Sequence, residues 1–579
     1  MSRYLILFFI CLLVLSRAPL LNAQDGPPAP TLTVPTLVPM LETAAPVEVL
    51  FAVSAVADII ASGLFRVGVL YNDPPYSELT LRGELSGFDA DLLRKIATVW
   101  DSEIEFVQVT RLNALDKLNS GEVHAVASAF VRYRDLDALV DFSQTYLRGK
   151  QALMVTANSP YTIPAELSDQ SIGYVLGTRT EKALDIWRDR LGRELNLRSF
   201  LTLDRAVAAL TRADIAGIVA EEQALLRVSA DAADSVKMLE EPVVSESHAF
   251  AVRRQDAPMR HLLNRTLQFL SREGDLDVLF REYFPGATYN GDVLTLWTGI
   301  GDGVAPDEFA REIPYPSSPA LPRIRSAGVL RVGGLIDAAL ATTAGQARLA
   351  DLNRALITEI AARWDLSLEL IPSNPDSAAE LVNSGAVDLV LGVKPDWSEV
   401  TALDFSAPYL LHGDRLMVRT NSGIAGFNNL RGRFVGILIG DATARERAEA
   451  WADSINTTVR FIRTTESGAA LTLLDHNNAN AIYADSLALL AHLEANPNAL
   501  RLTDRWYSRS FYTFALPYND PDFRLLLDYT LQELIVDGTL YRLTAPLIVS
   551  DELPAFDIIP GASQFASIEL SSDSTDAAP

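Results

Sequence analysis

The chain repeats itself once, and that repeat limits its fold more than any other feature. Phe65-Arg-Val-Gly-Val69 reappears as Leu330-Arg-Val-Gly-Gly334, and Leu118-Asn-Ser-Gly-Glu-Val123 as Val382-Asn-Ser-Gly-Ala-Val387. Val140-Asp-Phe-Ser-Gln-Thr-Tyr146 returns as Leu403-Asp-Phe-Ser-Ala-Pro-Tyr409, and Leu153-Met-Val155 as Leu416-Met-Val418. The offset stays between 263 and 265 residues throughout, a register that chance does not hold. Such a period is far longer than that of a solenoid, whose repeats are single supersecondary units. Each copy is therefore a complete globular module, the first over residues 63–286 and the second over 328–549. Residues 287–327 between them contain Pro314-Tyr-Pro-Ser-Ser-Pro-Ala-Leu-Pro322 and read as a semi-rigid linker.

Within the first module, short apolar strands alternate with amphipathic helices. Strand 65–70, helix 89–99, strand 104–109, helix 113–119 and strand 125–128 come first. After a strand at 151–156 the pattern restarts: strand 171–175, helix 181–191, a short strand near Arg198, helix 204–211 and strand 217–220. It closes on strand 249–252 and helix 259–273. This alternation predicts mostly parallel sheets with helices on both faces. Each module is thus expected to be two α/β lobes, the second inserted into the first, with crossings near Gln151 and His248. A cleft between the lobes would set strand carboxyl ends and helix N-termini against a ligand.

Residues 1–23 read as a secretory signal, with Arg3 before an apolar run at 4–15 and small-residue cleavage after Ala23. That run is shorter than the roughly 20 residues that span a bilayer, and no later segment is apolar enough, so no stable membrane insertion is expected. Cys11, the one cysteine, would leave with the signal, and the mature chain would hold neither disulfide nor reactive thiol. Residues 24–62 read as a Pro- and Thr-rich linker with a lead-in helix, and 550–579 as a disordered tail. Lys plus Arg number 49 against 74 Asp plus Glu, a net charge of -25, which argues against a nucleic-acid partner. None of the six histidines falls in a His-Glu-x-x-His spacing, and no glycine string forms a phosphate loop. Catalytic residues, a metal and a cofactor are accordingly not expected.

The order and spacing of several motifs identify the first module by resemblance. They are Arg66-Val-Gly-Val69, Asn72-Asp-Pro-Pro-Tyr76, Gly87-Phe-Asp-Ala-Asp-Leu92, Asn119-Ser-Gly121, Val140-Asp-Phe-Ser143, Gly177-Thr178 and Glu246-Ser-His-Ala-Phe-Ala-Val-Arg253. Over its full length the module resembles the family-3 extracellular solute-binding proteins of polar amino-acid ABC transporters, which have the type II periplasmic-binding-protein fold. The resemblance implies two tandem α/β modules, each of two lobes with a hinge and an interlobe cleft. It also implies an amino acid or similar small solute in the cleft, an ABC permease as partner, and a periplasmic or extracellular location.

The same resemblance implies the site residues. Tyr76 would pack on the ligand's aliphatic part, with a core aromatic as the rival reading. Thr178 would open a helix whose free N–H groups suit an anion, with a plain N-cap as the rival, and Arg179 adjoins that turn. The family's carboxylate-binding arginine falls on Leu136, so a two-residue slip would be needed to place Arg134 there, with Arg132 as the second candidate. Glu221 would take the ammonium, and Arg111 an acidic ligand side chain, with a solvated arginine as the rival reading. Asp73, Ser128 and Phe130 complete the implied ligand-binding set.

The second module keeps the scaffold and loses much of this. It lacks the Pro-Pro-Tyr wedge, replaces Gly-Phe-Asp by Asp351-Leu-Asn353, and sets Asp441 opposite Thr178. No arginine lies between Lys394 and Leu403, while Asp485 retains the acid of the ammonium position. It is therefore expected not to bind an α-amino acid in the family manner, which leaves a cationic or neutral solute or a structural role. Two other readings of the chain stay open: a ligand sensor signalling through a membrane partner, and a dehydratase-like enzyme using Glu221 as its acid.

Overall fold

The computed structural model describes residues 53–127, 131–230, 235–285, 293–316, 318–438, 444–464, 472–474, 476–547 and 557–561. The signal segment with Cys11, the site candidates Ser128 and Phe130, and Asp441 lie outside the described residues.

Each module carries two main sheets. In the first lobe of module 1, strands Glu103–Gln108, Leu64–Val69 and Ala125–Val126 run parallel, and Ala251–Arg253 runs against them before Val140–Phe142. In the second lobe, Asn196–Phe200, Ser171–Val175 and Gly217–Glu221 are parallel, and Leu147–Thr156 is antiparallel to the last. Module 2 repeats the first arrangement with Ser367–Pro372, Val329–Gly334, Leu389–Val393 and Ser510–Pro517. Its second lobe uses Arg460–Thr464, Phe434–Leu438, Ala481–Asp485 and Asp414–Arg419. The two-lobed α/β architecture expected from the alternation is thus present twice.

The crossings between the lobes of module 1 form one two-stranded ribbon. Leu147 pairs with His248 and Gln151 with Val244, antiparallel, so both chain passages lie side by side. The start of helix Phe88–Val99 is fixed just as tightly. Gly87 has φ 132°, and a Cβ there would stand 2.3 Å from the Tyr76 carbonyl, so glycine alone fits. The Asp89 N–H donates to that same carbonyl at 2.9 Å, which locks Tyr76 and Asp89 together at the cleft.

The modules meet through their first lobes, and the contact is built from the repeat itself. Helices Ala257–Arg272 and Pro521–Val536 are duplicates, each capped by an aspartate: Asp256 accepts from the Met259 N–H and Asp520 from the Phe523 N–H. Each helix carries one buried arginine across the boundary. Arg260 lies 2.9 Å from Asp141 of its own module and 2.9 Å from Asp404 of the other. Arg524 lies 2.7 Å from Asp141 across the boundary and 3.8 Å from Asp528 on its own helix. Asp141 and Asp404 are the two aspartates of the repeated Asp-Phe-Ser. Burial raises the pKa of each, but facing guanidinium groups outweigh it and hold both carboxyls below their ordinary range.

The stretches after each module pack back in matching fashion. Gln268 accepts from the Trp297 N–H at 2.9 Å, and Gln532 from the Ile559 N–H at 3.0 Å. Trp397 of module 2 donates to Gln268 at 3.0 Å, while Arg134 of module 1 donates to Gln532 at 3.1 Å. Two expectations are corrected here. The linker at 287–327 is not a spacer: Leu294, Trp297, Ile300, Val304 and Phe309 are buried in an apolar cluster that continues into Trp397 and Phe405 of module 2. The tail at 550–579 is not wholly disordered, since Ile559 is 1% exposed in the core of module 2. In both stretches the Pro, Gly, Ser and acidic residues that suggested solvated chain alternate with apolar side chains that find buried sites.

Removing one partner of a buried ion cluster leaves the others uncompensated, at a cost of about 3–5 kcal/mol. Asp404→Ala, which leaves His261 without its carboxylate and Arg260 with Asp141 alone, is expected to lower the urea-unfolding stability by that amount. Trp297→Ala is expected to cost about 3–5 kcal/mol through the cavity it leaves. A loss below about 1 kcal/mol for both variants would show that the modules do not share a core.

Candidate functional site

Between the lobes of module 1 lie polar and charged groups from both, and they are in contact. From the first lobe come Asp73, Tyr76 and Arg111; from the second come Arg179 and Glu221; the ribbon adds Gln151, Glu246 and His248. Arg179, 8% exposed, donates to Asp73 Oδ2 at 3.1 Å and lies 4.0 Å from Glu246, with its guanidinium 4.9 Å from the Tyr76 ring centre. Arg111 approaches the other Asp73 oxygen at 3.7 Å. The Tyr76 hydroxyl donates to Glu221 at 3.1 Å across the cleft. Lys182 and Asp135 form a further bridge between the lobes at 2.5 Å.

Several expected residues therefore converge: Asp73, Tyr76, Arg111, Arg179 and Glu221. Tyr76 is buried, with its ring packed against His248 at 4.6 Å and against Arg179, so it reads as a structural aromatic whose hydroxyl serves the site. Thr178 is exposed, and its hydroxyl donates back to the Val175 carbonyl. The helix opens two residues later, at Thr180, and the Gly177 N–H is taken by Glu181. Arg134 is not brought to the cleft. Its guanidinium lies 4.2 Å from the Tyr529 ring centre and donates to the Ile559 carbonyl at 2.8 Å and to Gln532. The slip that would restore the arginine fork fails because residues 131–134 alternate: Tyr133 turns to Glu246 at 3.3 Å, while Arg132 and Arg134 turn toward module 2. The buried cation of the cleft is Arg179.

Residues that sequence reasoning passed over complete the site. Gln151, wholly buried, accepts from Thr180 at 2.8 Å and donates to Glu246 at 2.9 Å, which holds the ribbon and the helix start together. His248 is buried with no hydrogen-bond partner on either ring nitrogen among the described residues. Burial and the charge of Arg179 push its pKa well down, so the ring is neutral. The signal for these residues was present: Gln151, Glu246 and His248 are polar positions within otherwise apolar strand sequence.

The charges also shape one another. Burial raises the Glu221 carboxyl, and Arg179 with the N–H groups of Gln223 and Ala224 partly restores it. Burial works against Arg179, but Asp73, Glu246 and Glu221 among its neighbours keep it firmly protonated. Asp89 differs, because it is fully buried and receives only the Tyr146 hydroxyl at 2.9 Å. Burial pushes its carboxyl up to about 7. In module 2 the same place is held by the neutral Asn353, which accepts from Tyr409 at 2.7 Å.

Module 2 has used its corresponding groups internally. Asp485 pairs with His412 Nδ1 at 2.7 Å and caps the next helix through the Leu487 N–H at 2.9 Å. His412 stacks on Tyr512 at 4.4 Å. A cavity of about 860 Å³ opens on the first lobe, with Thr342, Ser373, Asn374, Lys394 and Asp396 in its wall. Among the described residues no group of His, Cys, Asp or Glu is placed to hold a metal ion.

A carboxyl whose folded pKa lies above its unfolded value loses stability as pH rises between the two. For Asp89 that window runs from about 4 to about 7, and the loss is roughly 2–4 kcal/mol. Asp89→Asn is expected to stabilise the protein at pH 8 and to be near neutral at pH 4, as read by thermal unfolding at the two pH values. An equal effect at both would contradict the buried, largely uncompensated carboxyl.

The probable histidine-binding protein of Campylobacter jejuni is 26% identical over 223 residues, 38% of this chain and 84% of that protein. The glutamine-binding protein of a Bacillus subtilis ABC transporter is 22% identical over 204 residues, 35% of this chain and 73% of that protein. The crystal structure of a cysteine-binding protein from Campylobacter jejuni, 21% identical, matches over 42% of this chain and 98% of its own, with a TM-score of 0.35. Among the described residues no helix is long and apolar enough to cross a membrane. The model of the bacterial extracellular solute-binding proteins, family 3, matches residues 65–286 and again 347–546, and the chain belongs to that family twice over.

Proposed function

We propose that this chain is an exported solute-binding protein that captures an amino acid, or a similar small polar solute, in the cleft of module 1 and delivers it to an ABC transporter permease. The observation that carries this reading is the cross-lobe pairing of Arg179 with Asp73, beside that of Tyr76 with Glu221. A free amino acid brings one carboxylate and one ammonium, and the cleft offers a buried guanidinium for the first and carboxylates for the second. Arg179, with Arg111 next to it on Asp73, is assigned to the ligand carboxylate, and Glu221 to the ammonium. The names of the relatives, which specify histidine and glutamine, support an amino acid as the solute class.

A ligand that touches both lobes favours the closed arrangement by its differential affinity, which turns binding into a shape that a permease or other partner can read. Module 2 is assigned no amino acid, because Ala442 stands at the position of Arg179 and leaves no guanidinium there for a carboxylate. Titration calorimetry of the full chain against the twenty amino acids is expected to show one site. Arg179→Ala is expected to weaken binding at least a hundredfold, and Arg134→Ala to leave the affinity unchanged. Absence of binding by every amino acid would overturn the reading, and a loss caused by Arg134→Ala alone would move the carboxylate site.

A further inference from the structure

A second polar site lies away from both clefts, at the boundary between the modules. A pocket of about 120 Å³, open on one side to solvent, lies there between the helices Ala257–Arg272 and Pro521–Val536 and the loops after the two Asp-Phe-Ser motifs. Its wall includes Arg132, Thr145, Arg260, Arg524 and Asp528. At ~30 Å³ per water, the space admits a few waters or one compact ion.

The unsatisfied groups of this wall are guanidinium donors and one hydroxyl, which can donate or accept. Arg524 Nε, Thr145 Oγ and Arg132 Nε are buried with no hydrogen-bond partner among the described residues. Arg524 is 6% exposed and Thr145 2%. A buried donor left unpaired is costly, so native structures supply it with a partner. The surrounding carboxylates are already engaged. Asp141 faces Arg260 and Arg524, Asp528 accepts from the Ala407 N–H at 2.7 Å, and Asp557 accepts from Arg148 at 2.7 Å. Arg132 has no ion pair among the described residues. Two nearby carboxyls feel its charge, and burial raises both, Asp137 to about 7.

We propose that this cavity binds a small oxyanion of the carboxylate or phosphate type, held by the Arg132 and Arg524 guanidinium groups and the Thr145 hydroxyl. The site is single rather than duplicated. Arg524 has Arg260 as its counterpart, but Arg132 corresponds to Pro395 and Thr145 to Pro408, so module 2 cannot form its mirror image. It is separate from the cleft of module 1 and does not depend on what that cleft binds: Tyr133, which follows Arg132, points the opposite way to Glu246. An anion here would join the Arg132 and Thr145 segments of module 1 to the Arg524 helix of module 2 and thereby tie one module to the other.

Thermal unfolding of the full chain in rising acetate, and separately in rising inorganic phosphate, tests the proposal at constant ionic strength. A saturable increase in Tm of roughly 2–5 °C is expected for at least one anion. Response to acetate alone would assign the carboxylate class, and response to phosphate alone the phosphate class. The conservative Thr145→Val is expected to raise the midpoint concentration about fivefold. Arg132→Gln should abolish the saturable response, while Arg212→Gln on a distant surface should retain it. A linear rise shared by all these proteins would be a general salt effect on burial and would overturn the proposal. So would a crystal structure from phosphate and acetate solutions with water alone in the cavity.

Discussion

The interaction on which the rest of the molecule depends is the exchange of buried arginines between two copies of one motif. Four charges have been taken out of water at the boundary, and each carboxylate faces at least one guanidinium. Ion pairs of this kind seldom add net stability over well-packed apolar groups, but they are severe about register, because a displaced partner leaves a buried charge exposed to nothing. Asp404 is the fullest case, with both oxygens near Arg260, one at His261 and one receiving the Asn519 N–H at 3.0 Å. The apolar cluster that runs from module 1 through Trp297 to Trp397 supplies the burial that this cluster of charges does not. The result resembles a homodimer whose two subunits have been joined in one chain, with the joining segment packed into the seam.

That seam gives the functional site its setting. The inter-module ion pairs come from the first lobes, which are thereby fixed to one another, and the cleft of module 1 opens between a fixed lobe and a lobe inserted through the ribbon. Ordinary strand pairing holds the ribbon together, and Gln151 and Glu246 tie it to Arg179 and Thr180. Movement of the second lobe would be read directly at Asp73 and Tyr76. Module 2 departs from module 1 at these positions: Asn353 stands for Asp89 and Tyr512 for His248, and Asp485 is paired with His412.

The fold was legible because its signals are periodic and repeated. Alternating strands and helices, and a second copy in register, specify two α/β modules without any side-chain detail. The site was legible only in part, and the reason is directional. Tyr76, Glu221 and Arg179 stand at strand or helix ends, where the position in the element fixes which way the side chain faces. Arg132 and Tyr133 lie in a short segment that leads into the 3-10 turn Arg134–Leu136, where Tyr133 faces Glu246 and its neighbours face module 2, so a slip of one residue exchanges cleft for interface. The linker misled for another reason: its Pro and Gly content is visible in sequence, while the sites that receive Trp297 and Ile559 are made by the other module and by the long helices, which no local pattern reveals.

Hydrogen exchange of the intact chain in rising urea tests the shared body most directly. If the seam joins the first lobes into one cooperative unit, amides in the centres of helices Ala257–Arg272 and Pro521–Val536 will open with the same free energy and the same urea dependence, and both will fall together in Asp404→Asn. Two distinct opening free energies, with only the helix of module 2 responding to that substitution, would show that the modules unfold independently and would contradict the account.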